Sequence, residues 1–147
     1  MRAIRNSLSW LLALFLIAVF LHWTVHPWPE PAVGQVIFYD LPGENIVFSS
    51  LAEGTGIALF EPTGRVIMGA LELLAAFMLL IPRFRKTGAR FASILFLVLA
   101  GIHLSPWVGV ELTSPVSGES DAGAAFYLTV AALTASLLLL YIHPEKR

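Results

Sequence analysis

Residues 60–83, FEPTGRVIMGALELLAAFMLLIPR, place Arg65 and Glu72 inside a run otherwise apolar enough to cross a bilayer. About 20 apolar residues, each rising 1.5 Å along a helix, cross the hydrocarbon core. The spacing predicts a helix over 62–81 with a proline near each end, where the ring is tolerated. A carboxylate near mid-membrane costs roughly 2.5–3.5 kcal/mol on insertion scales, so it faces other helices or a water-filled cavity and marks a functional site by default. Arg65, Gly69, Glu72 and Ala76 recur at helical spacing and share one face. The small residues of that stripe let a neighbouring helix come close.

Three further runs have the same character, over 8–26, 89–108 and 123–142. The first follows two arginines and resembles a signal peptide, but it continues through bulky Phe20, Leu21 and Trp23 with no small-residue exit, which predicts a retained helix. A composition of 57% hydrophobic and 13% charged residues over 147 positions, with mean hydropathy +0.79, describes a single membrane domain. The expected fold is all-α: an integral membrane four-helix bundle. Residues 27–61 form a long connector whose apolar pieces are too short to cross, and short helices in the headgroup layer are expected there.

Eight of the nine Lys/Arg residues lie at Arg2 and Arg5, at Arg83, Arg85, Lys86 and Arg90, and at Lys146 and Arg147. The positive-inside rule then puts both termini and the RFRKTG turn in the cytoplasm, N-in/C-in, and makes the connector extracytoplasmic. Both outer loops are acidic, and Glu72 alone among the carboxylates is left in the core. No D-x-D pair marks a metal ligand set. The basic residues flank spans instead of forming a patch with interleaved aromatics, which excludes nucleic acid as a partner. The chain has no cysteine, so disulfides, thiolate metal sites and electron relay through cysteine pairs are out of reach.

Counting depth at 1.5 Å per residue from the cytoplasmic side, His22 and His103 both land about 20 Å up. Glu72 falls near the midplane, with Arg65 about 10 Å further out and Tyr127 at a similar outer depth. Glu72, Arg65, His103, His22 and Tyr127 are therefore the candidates for a polar pocket opening outward. Structural readings stand beside this one: Arg65 close enough to the interface to snorkel, and the histidines and Glu72 bonded only to one another. Two histidines at equal depth could also ligate a b-type haem, though they meet by coincidence often enough that depth alone does not argue for one. The inner halves of the spans are nearly all apolar, which speaks against a through-channel.

Several of these residues, in order, resemble the DoxX family of small bacterial membrane proteins, in particular its DoxX-like branch. They are E-P-x-x-R (Glu61, Pro62, Arg65), G-x-L-E-L (Gly69, Leu71, Glu72, Leu73), P-R (Pro82, Arg83), G-A (Gly88, Ala89) and H-L (His103, Leu104). A weaker match follows in G-V-E (Gly109, Val110, Glu111) and D-x-G (Asp121, Gly123). The resemblance covers Glu61 onward well and the first span by hydropathy only. It implies a four-helix protein of the inner membrane, an accessory or binding component associated with respiratory or thiol-redox chemistry. A membrane or periplasmic redox protein, or a second copy of the chain, would be its partner. Two other classes stay open: a quinone-binding or electron-transfer subunit using Glu72 or His103 for proton exchange, and a small-solute or proton pathway.

Overall fold

The computed structural model describes residues 2–25, 34–114 and 117–143. The described residues form five α-helices: α1 (Arg2–Thr24), α2 (Ile46–Thr55), α3 (Thr63–Leu80), α4 (Arg85–His103) and α5 (Ala124–Ile142). All but α2 are long and apolar enough to cross a membrane. No strand occurs among the described residues, only an isolated bridge between Thr113 and Ser120. The four long helices close into a ring in which α1 packs on α3, α3 on α4, α4 on α5, and α5 back on α1.

The axis of the ring is filled by alanine alternating with large side chains: Ala13, Leu16 and Phe20 of α1, Ala75 and Leu79 of α3, Ala92 and Phe96 of α4, Ala132 and Leu139 of α5. Alanine lets the backbones approach, and the ring of Phe20 stacks on that of Phe96 at 4.7 Å. On α5, Ala132, Ala135 and Ser136 are buried, while Ala131 faces outward.

Helix ends differ from the expected spans, for local reasons. α1 begins at Arg2, six residues before its apolar run, and the Arg5 Nε–H donates to the Ile142 carbonyl at the end of α5. α4 begins at Arg85, not 89, because the Arg85 side chain turns inward and the basic turn becomes its first turn. It stops at His103, not 108, since Pro106 bars the residue before it from helical conformation and Ser105 returns its hydroxyl to the Ile102 carbonyl. Residue 26 and the basic Lys146 and Arg147 lie outside the described residues.

Among its described residues the connector holds one helix, α2, and a 3₁₀ turn at Ala58–Phe60. It is tied first to α1, whose last carbonyls, Trp23 and Thr24, accept the N–H groups of Ile37 and Phe38. Asp40 then folds the segment upon itself, its buried carboxylate accepting Gly34 N–H at 3.0 Å and Val36 N–H and Asn45 Nδ2–H at 2.8 Å. Asn45 in turn caps α2 by accepting the Phe48 N–H. Gly69 of α3 lets this segment lie against the helix: a Cβ there would stand 2.6 Å from Ile37 and 2.8 Å from Phe38.

Candidate functional site

A cavity of about 60 Å³ opens between the connector and the ends of α3, α4 and α5 nearest to it. Its wall is mostly apolar, with Trp23, Ile37, Phe48 and Leu99 prominent, and its polar members include Glu72, His103, Asn45 and Thr129. Glu72 is 1% exposed, and its Oε2 has no hydrogen-bond partner among the described residues. A buried carboxylate without a partner is costly. This group is stable only while it holds its own proton or faces a donor or cation that occupies the cavity.

The neighbours of Glu72 are positioned by their own bonds. His103 lies at the last turn of α4 and its Nδ1 is 3.1 Å from the Gly109 carbonyl. A carbonyl only accepts, so Nδ1 carries the hydrogen and Nε2 of the neutral ring keeps its lone pair. The ring of His103 packs edge-on against that of Phe126 at 6.0 Å. Gly109 is held in a loop that Asp121 organises, its carboxylate accepting the N–H groups of Leu112, Gly123 and Ala125. Thr129 donates to the Ala125 carbonyl at 2.8 Å. The loop acids Asp40 and Asp121 are thus engaged with backbone, and no metal-holding cluster of His, Asp and Glu exists among the described residues.

The five residues singled out in the sequence divide. Glu72 and His103 line the cavity together. Arg65 is buried yet stands behind the wall: its Nε holds both oxygens of Glu61, at 3.0 and 2.9 Å, and its Nη1 donates to the carbonyls of Ile37 and Asp40. It does not snorkel; it clamps the connector to α3. Tyr127 is 64% exposed, because it lies midway between Ala125 and Thr129, which share the cavity face one helical turn apart. His22 is half-buried and its neighbour Trp23, not the imidazole, forms the wall.

A second polar cluster, at the far end of the ring, has no counterpart in the sequence reading. Arg85 is fully buried, donates from Nε to the Leu79 carbonyl at 2.9 Å, and lies 3.7 Å over the Trp10 ring. Its Nη1 is 3.4 Å from Ser9 Oγ, which is 2.8 Å from His143 Nδ1. Burial, and then the charge of Arg85, push the His143 imidazole below its ordinary value. Between the two clusters Ser93 and Ser136 share one hydrogen bond at 2.8 Å. The signal that could have found Arg85 is Trp10, an indole placed for a cation in a neighbouring helix, but nothing along the chain pairs the two. Asn45 was legible in principle, as a capping residue before the apolar run IVF.

The chain matches no protein-family model, no curated protein and no solved structure.

Proposed function

We propose that the chain is a multi-pass bacterial inner-membrane protein of DoxX-like type, N-in/C-in, that serves as an accessory or binding component of respiratory or thiol-redox chemistry. Its working part is the cavity at Glu72 and His103, on the periplasmic side. The observation that carries the reading is the buried Glu72 carboxyl, one oxygen of which has no partner among the described residues, in a cavity that a second titratable group also lines. A carboxyl kept only as a packing lock would be bonded to a neighbouring helix. Four apolar helices support the bilayer as the surroundings, and the distribution of Lys/Arg supports the orientation.

Among the alternatives, a quinone fits less well. A cavity of about 150 Å³ is what benzene fills, and a quinone head is larger than benzene, so at this half-open cavity of about 60 Å³ it would stand partly outside. For a small-solute or proton pathway, a proton or other cation crossing the bundle meets buried Arg85 at the cytoplasmic end, a positive charge that opposes its passage. A small bound ligand remains the best reading.

The test is complementation of a deletion strain. Glu72→Gln keeps the shape and removes the charge; it is expected to fold, to reach the membrane and to fail in function. Normal complementation by Glu72→Gln, with damage only from Glu72→Leu, would reduce Glu72 to structural glue and overturn the proposal.

A further inference from the structure

The polar groups around the cavity can be counted by what they still offer. Asn45 donates one amide hydrogen to Asp40, accepts from the Phe48 N–H, and keeps its second amide hydrogen. Thr129 has spent its hydroxyl proton on Ala125 and keeps oxygen lone pairs. His103 has spent its N–H on Gly109 and keeps the Nε2 lone pair. Glu72 offers carboxyl oxygens, one of them with no partner among the described residues. The side-chain donors left in the lining are the Gln35 amide, the Trp23 indole and the second Asn45 amide hydrogen, and Gln35 and Trp23 are half-buried. With Glu72 ionised, Glu72, His103 and Thr129 thus form a set of acceptors.

An acceptor set of this kind is complemented by an occupant rich in donors and poor in acceptors. A primary ammonium carries three N–H donors and no acceptor. It also supplies the positive charge that an ionised Glu72 needs in a low-dielectric site. Three further observations agree. The cavity, at about 60 Å³, is under half of what benzene fills, so the part of the occupant held inside it has only a few heavy atoms. Trp23 and Phe48 in the wall suit a methyl group and a neighbouring positive charge. The described residues of 34–64 and 104–123, on that side of the bundle, include no Lys or Arg and four exposed acidic residues, Glu44, Glu53, Glu111 and Glu119. Such a face raises the local concentration of cations and repels anions.

We infer that the cavity is a binding site for a small primary alkylammonium cation of about the size of methylammonium, held by Glu72 with His103 and Thr129 as further acceptors. The assignment rests on the reading of this cavity as a ligand site, and it names the chemistry of the ligand.

The experiment uses the full chain purified in detergent. Methylammonium chloride is titrated at constant ionic strength while intrinsic tryptophan fluorescence follows thermal unfolding, with sodium, tetramethylammonium and the neutral isostere ethanol as comparisons. A saturable rise in midpoint with methylammonium and none with the three comparisons is expected. At least a tenfold weaker apparent affinity is expected in Glu72→Gln, and a severalfold weaker one in Thr129→Val. The Thr129 variant provides the reading should the Glu72 variant fold poorly. An equal response of wild type and both variants, or no saturable response to methylammonium, overturns the ammonium assignment. Ala125→Leu, which fills the cavity, separates that failure from failure of the site itself. If it abolishes complementation while methylammonium gives no response, the cavity binds something else; if it complements normally, the ligand-site reading falls too.

Discussion

Arg65 and Glu72 lie two turns apart on one face of α3 and have opposite surroundings. Arg65 is engaged on two sides: a carboxylate on one, two connector carbonyls on the other. Glu72 leaves an oxygen with nothing to bind among the described residues. Stability measurements should separate them. Arg65→Leu strands the buried Glu61 carboxylate and frees the connector, and removing one partner of such a pair costs about 3–5 kcal/mol. Arg65→Lys is expected to recover only part of this, because one ammonium cannot face the carboxylate side-on and reach two carbonyls at once. Glu72→Gln should change stability by less than about 1 kcal/mol, since no bond is broken. The readout is the thermal or denaturant midpoint of the purified protein. A Glu72→Gln loss as large as that of Arg65→Leu would mean that the carboxyl is held in place after all.

At the level of elements, the closeness of α3 and α4 rests on Gly88, where a Cβ would stand 2.9 Å from Met78 Cβ and 3.0 Å from the Leu79 backbone nitrogen. Gly101, later on the same helix, has open space where its Cβ would be. Gly88→Ala should therefore destabilise by about 1–3 kcal/mol through overpacking, and Gly101→Ala should stabilise by about 0.5–1 kcal/mol through helix propensity. Opposite shifts of the unfolding midpoint are expected; equal shifts would mean that the two helices do not pack at Gly88. This contrast also shows what a sequence can and cannot disclose. The four spans were legible because apolarity over some 20 residues is a sum that no single neighbour alters. Glu72 and His103 were legible as polar exceptions within such sums. Arg85 was not, because in RFRKTG it reads as a solvated turn and its burial depends on Ser9 and Trp10, more than 70 positions away. Asp40 was not either: it is one of five acidic residues in the connector, and only the folded backbone of 34–46 shows that it holds that turn together.

For the whole molecule, the two ends of the ring differ in chemistry. One end carries acidic loops engaged with backbone and the cavity around Glu72; the other carries basic turns and the buried guanidinium of Arg85. Placed in a bilayer, that asymmetry predicts the orientation, with the α3–α4 turn in the cytoplasm and the connector and the α4–α5 loop outside. The chain has no cysteine, so single cysteines report without background. Glu44, Ser117 and Thr87 are exposed, and a substitution at each leaves the buried network intact. In whole cells with a permeabilised outer membrane, Glu44→Cys and Ser117→Cys should react with an impermeant maleimide, while Thr87→Cys should react only after the inner membrane is broken. Labelling of Thr87→Cys in intact cells, with the other two protected, would reverse the orientation. The acceptor-lined cavity would then face the cytoplasm, and the acidic loops could no longer gather cations from outside for it.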